Sequence, residues 1–289
     1  WITSRVLYRS NTILAQGPFM WNHALSGLCA AGSGIAIYAM EKEKKWGVIF
    51  FYCFTMLLIA TGVRAGFYGV ATAYLLYSIW AKKFSVILHF GLAAVVAEIF
   101  YQVDLGSNAP TFYSIDIAKQ YINEFPPWQN TVKAFGNFVG EIWFLPSQLE
   151  EYLLALGTVG VKIMGFLLNV GQLEEWWLLG YGFGSFQRPS QIMSNAIPYD
   201  DPGLIQLIFL ESGLVAGCLL VYILTRAIIL GLKYDNMRYY SVGILAWSTF
   251  ALSSWAIWPL LLVMIFVLLI FNHHRMHLKS IAEKRHSLH

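Results

Sequence analysis

Long apolar runs, separated by short basic turns and interrupted once by a polar stretch from Asp104 to Gly203, constrain this chain more than any other feature. About 20 apolar residues are enough to carry a helix across a bilayer. Such runs cover Phe19 to Met40, Trp46 to Val63, Ala65 to Trp80, Phe84 to Val103, Leu204 to Leu224 or as far as Leu232, and Ser241 to Phe271. The polar stretch cannot lie in hydrocarbon, because irregular backbone would leave its amides unpaired there. Its place is the membrane face. Hydrophobic residues make up 57% of the chain and charged ones only 12%, with a mean hydropathy of +0.57, against roughly 25% charged in soluble domains. The sequence therefore predicts an all-α polytopic membrane protein. A net charge of +3 is too small to point to nucleic acid, and the basic residues gather at the ends of apolar runs. Cys29, Cys53 and Cys218 fall inside those runs without disulfide or metal spacing and read as small buried hydrophobes.

Lysine and arginine in short loops set orientation. They occupy the connection Glu41 to Lys45, the turn with Lys82 and Lys83, and the turn with Lys233 and Arg238, which places these three loops in the cytoplasm. The Asp104–Gly203 stretch then lies outside. Its four basic and ten acidic side chains, a net charge of −6, agree. The basic tail from Arg275 to Arg285 belongs inside, which requires two passes before it. Pro259 divides Ser241 to Phe271 into two short, tilted or re-entrant segments, because proline removes a backbone donor. A single kinked helix is the competing reading. Four membrane helices over residues 1–103, an extracytoplasmic segment over 104–203, three more membrane segments over 204–272 and a tail over 273–289 follow. The total is about seven membrane segments. Leu153 to Val170 is apolar enough to pass for a span, but Lys162 at its centre favours an amphipathic helix on the outer face. The chain opens at Trp1 with no signal segment, which reads as part of a longer protein.

Several residues stand out as candidates for chemistry. Arg64, in LLIATGVRAGFYGVA, lies at a predicted outer helix end with Gly62 and Gly66 beside it. It reads either as a snorkelling side chain or as a fixed cation whose planar donor fork holds a phosphate. Gly180, Gly182 and Gly184 form either a surface turn or a backbone-amide anion site. Asp200 and Asp201 precede Pro202 and Gly203; they suit a helix N-cap, a general base or a divalent cation. Glu211 lies within the following apolar run, where an ionisable group is a functional candidate by default; Glu98 is a weaker case. His23 opens the first run, as a structural residue or as one that titrates near neutral pH. His273, His274 and His277 belong to the basic tail and read as lipid-headgroup contacts.

In order along the chain, RSNTILAQGPFMWNHALSG, GVRAGFYG, GYGFGSF and DDPGLIQLIFLESGLVAG resemble the motifs of the O-antigen ligase and O-antigen polymerase family. These are integral membrane enzymes that handle undecaprenyl-diphosphate-linked glycans. The resemblance runs from about Arg9 to Leu224. It implies a bundle of ten or more spans, of which this chain would be the C-terminal portion. It also implies that Arg64 holds the donor diphosphate. The family's second basic residue, usually arginine and about 18 positions before the first glycine of GxG, corresponds to Lys162. Lysine keeps the charge and loses the bidentate fork. Arg188 and the glycine turn would join the substrate site with His23, Asp200 and Glu211. Ligases of the family carry a histidine just before the following span, where this chain has YDDPG. A polymerase with Asp201 as the base is therefore expected ahead of a ligase to lipid A core or protein. No cofactor is required, although the two aspartates leave room for a divalent cation. The expected partners are the lipid-linked glycan, the bilayer and a chain-length regulator. A transporter or flippase of an anionic glycolipid is the alternative from another class.

Overall fold

The computed structural model describes residues 7–9, 12–14, 22–42, 44–105, 126–156, 158–171, 177–180, 182, 203–252, 254 and 258–286. Among these, the fold is helical apart from one antiparallel hairpin, β1 (Leu7–Arg9) with β2 (Thr12–Leu14), registered Tyr8 opposite Ile13. The helices are α1 (Asn22–Lys42), α2 (Lys44–Ala60), α3 (Arg64–Ala81), α4 (Ser85–Leu105), α5 (Pro126–Glu141), α6 (Leu149–Ala155), α7 (Thr158–Gly171), α8 (Leu204–Leu232), α9 (Arg238–Ala251) and α10 (Trp258–His286). Three segments are long and apolar enough to cross a membrane: His23–Lys42, Leu204–Leu232 and Pro259–Lys284. The chain divides into two compact units, the first formed by Trp1–Ala109, Val221–Phe250 and Ala256–His289, the second by Pro110–Leu220 with Ala251–Trp255.

In the first unit, α1 and α3 cross α9 closely, and glycines explain how. A Cβ on Gly34 of α1 would strike the Tyr239 carbonyl, and one on Gly243 of α9 would strike the Ala31 carbonyl. On Gly69 of α3 it would meet the Ala246 carbonyl at 2.5 Å, and on Gly27 of α1 the Phe250 ring at 2.7 Å. Small residues at such contacts let helix backbones approach closely, the usual way apolar helices associate in lipid. The result buries Ile244, Trp247 and Phe250 of α9 completely, with Tyr74 of α3 and Phe51 of α2. Outward faces of α2, α3 and α4 stay apolar and exposed, as at Ile49, Leu76 and Leu88. A patch that large on a protein surface marks contact with another apolar phase.

A polar network closes one end of this unit. Glu41 Oε1 accepts a hydrogen bond from Tyr77 at 2.7 Å, and its Oε2 accepts from Lys83 at 2.5 Å and Tyr239 at 2.8 Å. α1, α3 and α9 thereby meet on one carboxylate. Burial above all pushes the Tyr239 phenol above its ordinary range; the bond from Arg238 works the other way and the bond to Glu41 adds to the rise. Tyr239 therefore stays a donor.

The second unit holds a small core of its own, in which Phe135 and Val139 of α5, Leu153 of α6, and Met164 and Leu168 of α7 pack together. The single amphipathic helix expected over Leu153 to Val170 is corrected to two. α6 ends in a turn where the Leu156 N–H donates to Leu153 O at 3.0 Å. Gly160 then seats against the Leu153 carbonyl, where any side chain would collide, so α7 folds back on α6.

The C-terminal stretch is two helices, unequal in length: 14 residues in α9 and 29 in α10. Pro259 lies in the first turn of α10, where its missing N–H has no partner to lose. It starts a helix here instead of breaking one. The basic tail continues α10, and its histidines do not face lipid headgroups alone: His273, His274 and His277 surround Tyr234, whose hydroxyl hydrogen-bonds His274 Nδ1 at 2.7 Å. Of the cysteines, Cys29 is buried as expected, whereas Cys53 and Cys218 are exposed.

Candidate functional site

Arg64 is the first residue of α3, and the turn before it is tightly built. Gly62 takes φ 65°, a left-handed conformation that glycine adopts without strain. Its N–H donates to Ile59 O at 2.9 Å. Thr61 Oγ1 donates to Leu58 O at 2.7 Å and accepts the Val63 N–H at 3.3 Å. Gly66, one turn on, seats against Ser26 of α1 where a Cβ would collide. The backbone carrying Arg64 is thus fixed on both sides. The N-cap residue Val63 supplies no side-chain cap. Arg64 itself is half-buried and makes no hydrogen bond or ion pair among the described residues.

That position is electrostatically odd. A cation in the first turn opposes the helix dipole at a cost of about 0.3–1 kcal/mol. Helix stability does not account for Arg64, whereas an anion placed there would meet both the guanidinium and the uncapped amides.

The glycine turn has a definite role in the second unit, where α8 is broken. Gly213 has φ 77° and ψ 180°, which interrupts the helix between Ser212 and Leu214. Residues 177–180 and Gly182 cross the break as a strap. Gly182 N–H donates to Glu211 O at 2.9 Å, and Leu214 N–H donates to Trp177 O at 2.9 Å. These bonds satisfy backbone groups that the break would leave unpaired in an apolar setting. Gly180 and Gly182, at φ 72° and 93°, supply the left-handed turn. A Cβ on Gly180 would fall 2.4 Å from Gly213 N and 2.5 Å from Glu211 O. The structure thus brings Gly180, Gly182 and Glu211 together. The Glu211 side chain is half-buried and has no hydrogen bond or ion pair among the described residues. Glu211 and the glycines stand out separately in the sequence, whereas Gly213, which joins them, does not. The only signal was a glycine two residues after an acid in an apolar run.

At the head of α8, Gln206 Oε1 accepts the Gly203 N–H at 3.1 Å. This is one half of a capping box, so the N-cap position read for Asp200 and Asp201 falls to Gly203. The Leu204 N–H donates to Ser254 O at 3.1 Å, anchoring the helix start on the turn after α9. Lys162 is half-buried in the middle of α7 and has a partner. His23, in the first turn of α1, is half-buried and partnered as well. Arg64 and His23 belong to the first unit; Lys162, Gly180, Gly182 and Glu211 belong to the second. Asp200, Asp201, Gly184 and Arg188 lie outside the described residues, as does the side chain of Glu98. Among the described residues no three His, Cys, Asp or Glu side chains converge as metal ligands would. No protein-family model matches the chain, and no curated protein or solved structure shows significant similarity to it.

Proposed function

We propose that the chain is part of a glycosyltransferase that takes its donor from a lipid-linked oligosaccharide and polymerises repeat units at the outer face of a bacterial cytoplasmic membrane. The observation that carries this reading is Arg64: a half-buried guanidinium without a partner among the described residues, held rigidly at a helix start with no side-chain cap. A diphosphate is the anion best matched to a planar fork beside free amides. The ordered resemblance of the motifs to O-antigen polymerases and ligases supplies the substrate class, undecaprenyl-diphosphate-linked repeats. In the topology that accompanies this reading the chain contributes seven membrane segments. The lysine-bearing turns face the cytoplasm, and the Asp104–Gly203 segment lies outside with Arg64 and Lys162.

In the reaction, Asp201 takes the proton from an acceptor sugar hydroxyl as that oxygen attacks the donor's anomeric carbon. The bond from that carbon to the diphosphate oxygen breaks, and the lipid diphosphate leaves with the charge. Arg64 and Lys162 neutralise the developing charge, an effect worth several kcal/mol when donors are pre-positioned. Asp201 takes the role that a histidine has in the ligases, which favours a polymerase. The broken α8 supports a second reading, since interrupted helices carrying an ionisable residue also build substrate sites in transporters.

Replacing Arg64 in the full-length protein tests the choice. Arg64→Ala should abolish long polysaccharide at unchanged protein level, and Arg64→Lys should retain part of it. Normal chain length in Arg64→Ala overturns the proposal. Purified protein given a lipid-linked repeat with no separate acceptor should extend it; a ligase or transporter would not.

A further inference from the structure

A second polar site lies in the first unit, away from Arg64, at the end where α1, α3 and α9 meet. A cavity of about 450 Å³ is lined there by Glu41, Lys42, Lys83, His89, Arg238 and Tyr239, among others. Three cations face one carboxylate. That carboxylate takes hydrogen bonds from Lys83, Tyr77 and Tyr239 and lies 4.0 Å from Arg238 Nη2, so one acid is shared by several cations and Lys42 is left without a counter-charge or hydrogen bond among the described residues. Arg238 gives Nη1 to the exposed Asp235 at 3.1 Å and Nη2 to Tyr239 at 3.5 Å, while its Nε is buried with no partner. A buried guanidinium N–H without an acceptor is costly unless a ligand supplies one.

The surroundings indicate what the ligand is. Val48 of α2 and Ser85 and His89 of α4 also line the cavity. Beside them Trp46 and Ile49 of α2, Phe84 just before α4 and Leu88 of α4 are exposed, Trp46 to 78% and Leu88 to 71%. An anion in this cavity would therefore have apolar side chains next to it, along two helices that pack together. A soluble phosphate has no use for that surface, but an acyl chain does. Arginine and lysine together suit a phosphodiester, and Trp and Phe suit the headgroup level of a bilayer.

We propose that this cavity binds the phosphate headgroup of an anionic phospholipid, whose acyl chains lie against the exposed faces of α2 and α4. The site rests on the membrane reading of the chain and is independent of the glycosyltransfer reading.

Native mass spectrometry of the full chain in detergent, titrated with phosphatidylglycerol, phosphatidylcholine and inorganic phosphate, tests it without reading activity. Phosphatidylglycerol should bind about tenfold more tightly than phosphatidylcholine, since each basic side chain at an anionic lipid surface adds about 1 kcal/mol. Lys42→Ala should weaken phosphatidylglycerol by about fivefold and leave phosphatidylcholine unchanged; Arg238→Gln should weaken it further. Lys42 is exposed and has no partner among the described residues, so its variant decides the matter even if Arg238→Gln fails to fold. Equal affinity for the two lipids, or undiminished phosphatidylglycerol binding in Lys42→Ala, overturns the proposal. Tight binding of inorganic phosphate with no preference between the lipids also overturns it, and assigns the cavity to a soluble anion.

Discussion

At the residue scale, Gly180 and Gly182 separate two effects that usually come together. Both have positive φ, so a side chain at either carries backbone strain of about 1–2 kcal/mol. Only Gly180 also abuts backbone, at Gly213 N and Glu211 O, while nothing lies within 4 Å of a Cβ on Gly182. Gly182→Ala should therefore lower stability modestly and leave the strap in place. Gly180→Ala should pull the strap off α8 and expose the Leu214 and Gly182 amides, read as faster hydrogen exchange at those two positions. Equal protection in the two variants would contradict this account. Arg64 was legible in the sequence because one charge in an apolar run is conspicuous. Glu41 was not, because an acid among three lysines reads as part of a solvated loop, and only the fold shows that Tyr77 and Tyr239 reach it.

At the scale of elements, α9 crosses α1 and α3 with room for no more atoms between them. Gly34 and Gly243 face carbonyls across the α1–α9 contact from opposite sides. Gly34→Val should force the pair apart and destabilise the protein by about 1–3 kcal/mol, the usual range for overpacking. Gly91 on α4 makes the control, since a Cβ there meets nothing within 4 Å. Gly91→Ala should be neutral or stabilising by up to about 1 kcal/mol, because alanine is the better helix former. Melting temperatures in one detergent compare the two, and equal losses would contradict the tight α1–α9 crossing. Helix positions were legible from apolar runs, since α1 to α4 each lie within two to three residues of the run that announced them. Hydrophobicity could not show that α9 lies inside the bundle, because burial by neighbours and burial by lipid select the same side chains. Nor could it show the break at Gly213, where the composition on both sides is equally apolar.

At the scale of the whole molecule, the direction of every element after α7 depends on whether α6 and α7 cross the membrane. α7 has 14 residues, about 21 Å of helix at 1.5 Å per residue, against a hydrocarbon core about 30 Å thick. Its apolar face is occupied, with Met164 and Leu168 buried against Phe135 of α5 and Leu153 of α6. A helix that spends its apolar face on a core of its own has little left to offer lipid, and Lys162 at its middle adds a few kcal/mol against insertion. Ser147, before α6, and Asn236, between α8 and α9, are both exposed. With α6 and α7 lying on the surface and α8 making one crossing, these residues are on opposite sides. In a background with Cys29, Cys53 and Cys218 replaced by alanine, Ser147→Cys should react with a membrane-impermeant maleimide in cells whose cytoplasmic membrane is intact. Asn236→Cys should react only after that membrane is permeabilised. If both react in intact cells, a further crossing lies between them, α7 is the segment among the described residues apolar enough to supply it, and Lys162 leaves the outer face together with its part in the proposed chemistry.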